Sequence, residues 1–398
     1  MGAIAIEDKA EYLGVVLGPD GGTSSWASPF KKFQERVAVW GTKGLGLLNT
    51  MEAYRVYIIS VLLFIGQLNV LPPDFDKLEA KATRSLFPGS PGWITPEALK
   101  SLKSAGFPKE LIDARCLTVA AQARVYLLEN RREGGLNVGS RLRALQATMS
   151  SPDNMFRVYR LRDWLNNAIV HTLSNSFDQV KNAERLSGTS TSLCTVDIQD
   201  PSAIKGWQSR AYTLLRTRMS GDLHTHARAR LDLWDVPVLP GHRVERWLRY
   251  MEDTRRRLPP RVQACQIRTA LKGWTNSRRK HGQGLCVLGC PEAEDSLEHY
   301  AYCGHFRELC HKHLRLSPPA GDPVSTLVGL NRSCEETSEQ RALRAIALYA
   351  LYRAHNGLRH GGFGQTHVHD VFAGFLREAV QGHQPSTSLV ASAKKRRA

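Results

Sequence analysis

Apolar residues recur along most of this chain with the spacing of amphipathic helices. Between residues 30 and 40 they stand three or four positions apart, with charged residues between them: Phe30, Phe33, Val37 and Trp40. Because an α-helix turns once every 3.6 residues, this spacing predicts a helix that buries one face. The same period predicts helices over 49–71, 75–87, 96–105, 110–131, 141–149, 153–178, 339–358 and 370–381. The chain is therefore predicted to be mainly α.

The first residues follow a different pattern. Residues 11–18 read Glu-Tyr-Leu-Gly-Val-Val-Leu-Gly, and Pro-Asp-Gly-Gly follows at 19–22. A short run rich in apolar and β-branched residues, followed by turn residues, predicts a strand and a turn, as in a hairpin. An apolar strand this close to residue 1 also predicts that its sheet partners lie outside this sequence.

The most apolar run covers residues 56–66, between Arg55 and Gln67. It is much shorter than the roughly 20 residues of a membrane-spanning helix. We therefore expect a buried core helix here and no membrane partner.

Length and charge limit the class of protein. A chain of 398 residues is expected to form about two or three domains. A net charge of +17 and a pI of 9.7 favour a polyanionic partner, either nucleic acid or an anionic membrane. The eight cysteines do not form the framework of a small secreted domain, so we expect a reducing compartment, nuclear or cytoplasmic.

Positive charge is concentrated between residues 205 and 280, where 18 Lys and Arg face 6 Asp and Glu. Arginine dominates, and its guanidinium makes forked contacts with phosphates. Aromatic residues lie between the arginines, either to stack on unpaired bases or to fill a core: Trp207, Trp234, Trp247, Tyr250 and Trp274. Predicted contacts with RNA or DNA are Lys31, Lys32, Arg36, Arg243, Arg246, Arg249, Arg255, Arg256, Arg257, Arg261, Arg268, Lys272, Arg278, Arg279 and Lys280.

Residues 286–303 contain three cysteines and a histidine at metal-binding spacing. Cys286 and Cys290 bracket a short turn, while His299 and Cys303 are four residues apart, on one face of a predicted helix. Asp295 or Ser296 could cap that helix. Three sulfurs and one nitrogen make a closed tetrahedral Zn²⁺ site, which is structural because it leaves no position for water.

Other assignments of these residues stay open. The cysteines could be buried free thiols beside a surface histidine. Four neighbours could also replace a proposed ligand: His305, Cys310, His311 and His313. Residues 384–398 read as a polar, disordered tail in which the basic run 394–397 could act as a nuclear address.

Two features in the right order resemble a known family. Tyr12-Leu13-Gly14 closes a strand, a helix ending near Trp40 follows, and a Gly/Leu-rich link leads to an apolar helix that carries Arg55. Far downstream comes the Cys-Cys-His-Cys cluster. This order resembles the end of the palm, the thumb and the carboxy-terminal zinc knuckle of reverse transcriptases from non-LTR, LINE-type retrotransposons. The resemblance implies a nucleic-acid-binding chain from a family of RNA-directed DNA polymerases.

The resemblance and the composition together predict a division of the chain. The predicted segments are a palm-edge strand remnant (1–22), a thumb-like helical block (23–186), a linker (187–204), a basic helical nucleic-acid-binding region (205–283), the knuckle (284–312), C-terminal helices (313–383) and the tail (384–398).

The chain also departs from that family. Its members place three metal-binding aspartates upstream of Tyr-Leu-Gly, whereas only 11 residues precede Tyr12, and no Ala-Asp-Asp occurs in this sequence. Two-metal nucleotidyl transfer needs such carboxylates. We therefore expect a nucleic-acid-binding fragment that is not itself an enzyme. The alternatives are a zinc-stabilised protein-interaction module and a subunit that works with a separate palm-containing chain.

Overall fold

The computed structural model describes residues 10–12, 14–17, 21–131, 169–187, 193, 206–218, 223–276, 284–331, 336–360 and 368–395. These residues are mainly helical, which confirms the predicted fold class. The helix predicted at 141–149 and the first part of that at 153–178 lie outside the described residues.

The helices of the described part follow one another from residue 21 to residue 395. They are α1 Gly21–Ser24, α2 Ala27–Gly41, α3 Leu47–Ala53, α4 Ser60–Gly66, α5 Phe75–Leu86, α6 Pro96–Lys100, α7 Ala114–Arg131, α8 Ile169–Ser187, α9 Trp207–Arg218, α10 Leu223–Leu231, α11 Arg243–Arg255, α12 Pro260–Ala270, α13 Leu297–Tyr302, α14 Gly304–Leu314, α15 Pro323–Val328, α16 Ser338–His360, α17 Val368–Val380 and α18 Gln384–Lys395. A π-helix, Tyr54–Ile58, and two 3₁₀ turns, Leu102–Ala105 and Pro240–His242, complete the set.

The chain divides into two compact units. Unit 1 takes the described residues within Met1–Gly44, Met51–Leu86 and Leu111–Gly221. Unit 2 takes those within Leu45–Thr50, Phe87–Glu110 and Asp222–Ala398.

The predicted N-terminal strand is a hairpin. Strands β1 Ala10–Tyr12 and β2 Val15–Leu17 pair antiparallel, with Tyr12 opposite Val15. The turn falls at Gly14, whose φ of +80° suits a residue without a Cβ. The run 11–18 therefore folds back on itself instead of forming one strand, and α1 begins where the turn was predicted.

The helix predicted over 49–71 is interrupted. It divides into α3, the π-helix Tyr54–Ile58 and α4, and the two halves meet at an angle of 44°. Ile58, Leu62 and Ile65 are buried in unit 1, as expected for a core element. Within the described part of the chain, no single helix has the length and apolar character to cross a membrane; the bent pair passes that test only jointly, on length and composition.

Helices α7, α8 and α9 form one core of unit 1. Small residues such as Ala120, Ala183 and Ala211 are fully or almost fully buried between them, which lets the helix backbones approach closely. Trp207 is completely buried in the same cluster, and its indole N–H donates to the carbonyl of Leu193 at 2.9 Å.

Helix α16 is the centre of unit 2. It packs against α11, α12, α14 and α17. It has no exposed side between residues 342 and 351, where Arg344 is the one charged residue and pairs with Glu336. Trp234, Trp247 and Trp274 are also completely buried in this unit. Of the two roles left open for the interleaved tryptophans, the structure shows the core role.

The prediction of a disordered tail over 384–398 is wrong for its described part. Residues 384–395 form α18, which packs on α14, α16 and α17 through Leu389, Val390 and Ala393. The buried Ser386 hydroxyl donates to the carbonyl of Arg257 at 2.5 Å. The sequence reads as a tail because most of its residues are small or polar. Only a few apolar residues, spaced for one face of a helix, pack it against the core. Lys394 and Lys395 lie on this helix, and the rest of the basic run lies outside the described residues.

Candidate metal centre

Cys286, Cys290, His299 and Cys303 converge on one point of unit 2. Their ligand atoms all lie within 4.8 Å of one another, and no other such group of His, Cys, Asp and Glu occurs among the described residues. The Sγ atoms of Cys290 and Cys303 are 3.4 Å apart. Three soft sulfurs and one imidazole nitrogen at this separation can bind a metal ion such as zinc.

The first pair of ligands comes from a tight turn held by its own backbone. The amide of Cys286 donates to Ala293 O at 2.8 Å, and that of Gly289 donates to Cys286 O at 3.1 Å. Gly289 has a φ of +89°, a conformation that favours glycine. A short antiparallel bridge between Leu285 and Glu294 closes the loop. These backbone bonds hold the turn that carries the two cysteines.

The second pair comes from α13. Ser296 caps this helix by accepting the amide of His299 at 3.1 Å, so Ser296 is the cap and Asp295 is not. The helix ends at Tyr302, so Cys303 lies one residue beyond it and does not form an i, i+4 pair with His299 within the helix. Cys303, at the junction with α14, still points its sulfur into the cluster.

The donor set passes a test of fit to a tetrahedral ion. Zn–S bonds of about 2.3 Å place sulfurs about 3.8 Å apart, close to the separations found here. The Nε2 atom of His299 is buried and has no hydrogen-bond partner among the described residues. A buried nitrogen without a partner is costly unless something fills the space it faces.

The pKa values of the three thiols are shifted in different directions. The hydrogen bond with Cys303 lowers the pKa of Cys286 to about 4. The same bond raises the pKa of Cys303, and burial raises that of Cys290. Because cysteine binds metal as the thiolate, a bound cation would displace the protons that these sulfurs hold.

The four neighbouring candidates lie outside the cluster. Cys310 is buried in the core, where desolvation raises its pKa to about 12. His313 packs near Phe372 with ring centroids 5.9 Å apart, and His305 and His311 are exposed. Sequence spacing left these residues open as replacements, and the geometry brings together the original four.

A buried carboxylate next to the centre was missed by the sequence reasoning. Asp295 is fully buried and accepts from Tyr300 Oη at 2.6 Å and from His355 Nε2 at 3.0 Å. It also forms an ion pair with Arg359 Nη2 at 2.5 Å. Since His355 and Arg359 belong to α16, this carboxylate ties the metal-ligand loop to the central helix of unit 2.

Arg243 does not belong to the predicted nucleic-acid interface. It is 7% exposed, and its guanidinium donates to the carbonyls of Leu231, Trp234, Val236 and Val238. A guanidinium enclosed by carbonyls cannot also bind a phosphate. Arg243 is therefore a structural residue, which corrects the expectation from the charge pattern.

Six further predicted contacts also have partners within the protein. Arg268 illustrates the pattern, because it donates to Pro88 O at 2.6 Å and lies 4.5 Å above the Trp93 ring. Lys272 pairs with Glu298 at 2.9 Å. The others are Arg36 with Tyr57 O and Ser60 Oγ, Arg255 with Gly106 O and Glu252, Arg257 with Glu339, and Arg261 with Ala379 O and Gln381 O.

The remaining predicted cations differ in what surrounds them. Within the described residues, five make no hydrogen bond or ion pair through their side chains: Lys31, Lys32, Arg246, Arg249 and Arg256. Arg278, Arg279 and Lys280 lie outside the described residues.

No protein-family model matches this chain, and neither a curated protein nor a solved structure matches it.

Proposed function

We propose that this chain binds RNA or DNA, without polymerase chemistry of its own, through a basic surface on α11 of unit 2. The observation that carries the proposal is the position of Arg246, Arg249 and Arg256. Arg249 and Arg256 are exposed, Arg246 is partly exposed, and the described residues give none of them an internal partner. Guanidinium groups without partners on one surface are what a phosphate backbone requires.

The spacing places the three arginines on one side of the helix. Arg249 is one turn from Arg246, and Arg256, just after the helix end, is two turns further on. Two acids on the same side are already engaged: Glu252 pairs with Arg255 at 3.1 Å and Asp253 with Arg341 at 2.7 Å. A third acid, the exposed Glu245, lies one turn before Arg249. The three arginines outnumber it, so the net charge of this surface is positive.

The metal centre has a structural role in this proposal. We infer a Zn²⁺ held by Cys286, Cys290, His299 and Cys303, whose closed donor set leaves no position for a reacting water. Bound zinc would fix the loop that Asp295 ties to α16. Because thiolate ligands must remain reduced, the proposal also implies a nuclear or cytoplasmic location.

The LINE-type resemblance adds support of a different kind. Tyr12-Leu13-Gly14 and the Cys-Cys-His-Cys order are features of a family that handles RNA and DNA, and unit 2 holds such a cluster in one place. A separate palm-containing chain is the second partner that this resemblance implies. A polymerase active site is not part of the proposal, since the sequence has no Ala-Asp-Asp.

Reversing the three arginines together, as R246E/R249E/R256E, is expected to weaken binding to single- and double-stranded probes alike by at least about tenfold, because phosphate contacts read no sequence. Fluorescence anisotropy with labelled RNA and duplex DNA measures this. Each lost phosphate contact should also lower the salt slope by about 1.

The matched control is R377E/K394E/K395E, which makes the same change in net charge on α17 and α18 of unit 2. All three control residues are exposed. An equal loss of affinity in both triple variants would mean that binding depends on the net charge of the protein and not on the surface of α11. An unchanged affinity of the α11 variant would mean that the binding surface lies elsewhere. Either outcome would contradict the proposal.

A further inference from the structure

Two aromatic rings are stacked at the surface of unit 1. The rings of Trp40 and Tyr57 are 4.7 Å apart with an interplanar angle of 17°, and Tyr57 is 50% exposed. Large aromatic side chains are normally used to fill cores. Tyr57 is therefore stacked on Trp40 and still half open to solvent.

The π-helix Tyr54–Ile58 presents Tyr57 to solvent. The amide of Ile59 bonds to Tyr54 O at 2.8 Å, which is the i to i+5 pattern of this helix. Tyr54 and Ile58 point into the core while Tyr57 does not. π-Helical turns are rare and occur frequently at functional sites, so this one is a pointer to a role for the residue it exposes.

Arg36 connects the π-helix to a basic side of α2. Its guanidinium donates to Tyr57 O and to Ser60 Oγ, the latter at 3.1 Å. Lys32, Arg36 and Trp40 follow one another at intervals of four residues, so they share a side of the helix. Lys32 and Arg36 are exposed, and so is Lys43 just beyond the helix.

We propose that Tyr57 is a stacking platform for an unpaired base of single-stranded nucleic acid, whose phosphates contact Lys32 and Lys43, while Arg36 holds the π-helix in place. The charge of the surface and the planarity of the pair favour this occupant, because every base has a π-face and every nucleotide a negative charge. Two apolar side chains on the same helical segments, Val56 and Phe64, are also exposed, at 47% and 51%. The inference rests on the proposed function and adds to it a preference for single-stranded over double-stranded nucleic acid.

The test compares Y57A, Y57F and F64A in anisotropy measurements with single-stranded RNA and duplex DNA. The loss of one stacked base corresponds to about a fivefold to 150-fold change in affinity, so Y57A is expected to lose at least about fivefold of its affinity for the single strand. Its affinity for the duplex is expected to stay unchanged. Y57F keeps the ring and should bind like the original protein, and F64A should bind both probes normally. A 5-iodouridine oligonucleotide is expected to crosslink to Tyr57, as mapped by mass spectrometry.

The outcomes separate this inference from the function on which it rests. If the unchanged protein binds and the α11 triple variant is weakened, but Y57A binds the single strand normally, the platform is wrong and the proposed function stands. If F64A loses as much single-strand affinity as Y57A, the loss is not specific to stacking on the Tyr57 ring and the platform is again wrong. If the unchanged protein binds neither probe, both proposals fail.

Discussion

Replacing Cys290 with serine is expected to remove bound metal and to open residues 284–312, while unit 1 stays folded. Cys290 contributes one of three sulfurs that meet His299 within 4.8 Å. Structural zinc sites contribute apparent binding free energies of about 10–16 kcal/mol, which become folding free energy. Metal analysis should therefore give about one zinc per chain before the change and almost none after it.

Hydrogen exchange locates the opening. The amides of Cys286 and Gly289, now bonded to Ala293 O and Cys286 O, should exchange much faster in C290S and in H299Q. Amides of α7 in unit 1 should keep their protection. H305Q is the matched control, because His305 is exposed, two residues from Cys303, and outside the cluster. Zinc kept in C290S and H299Q but lost in C310S or H313Q would show that the ligands are others.

Replacing Asp295 with asparagine is expected to lower the free energy of unfolding of unit 2 by about 3–5 kcal/mol. The change removes the negative charge from a fully buried site and leaves Arg359 and His355 facing a neutral amide. Breaking a pair on its buried side costs this much, because Arg359, 23% exposed, keeps its charge beside a fully buried site that has lost its own. Urea unfolding followed by near-ultraviolet circular dichroism measures it, since the buried Trp274 packs 5.5 Å from His355 and 6.2 Å from Tyr300.

E292Q provides the comparison for D295N. Glu292 is exposed on the same loop, so its change should stay within about 0.5 kcal/mol of the original protein. D295N indistinguishable from E292Q would mean that the carboxylate does not hold the loop on α16.

What could be predicted from the sequence was local. Helical periodicity depends on residues a few positions apart, and α2, α5 and α16 were found by it. The metal ligands also lie within 18 residues, where a turn and a short helix restrict the geometry. Even there the sequence predicts a helix that contains Cys303, whereas α13 ends one residue earlier, at Tyr302.

What could not be predicted depends on partners far away in sequence. Asp295 meets His355 across 60 positions, and Arg268 meets Pro88 O across 180. A charge count treats Arg243 and Arg249 alike, although one is enclosed by carbonyls and the other is exposed. His355 and Arg359 lie four residues apart, on one side of a helix. This spacing could have indicated an acidic partner, but it does not identify which acid that is.

The salt dependence of nucleic-acid affinity tests the central claim most directly. Anisotropy of labelled duplex DNA with the unchanged protein, between about 50 and 200 mM salt, gives the slope of log K against log salt. Three phosphate contacts by Arg246, Arg249 and Arg256 predict a slope of about −3, with tight binding at the low end. Absence of binding at the low end, or an affinity that does not change with salt, would contradict the account.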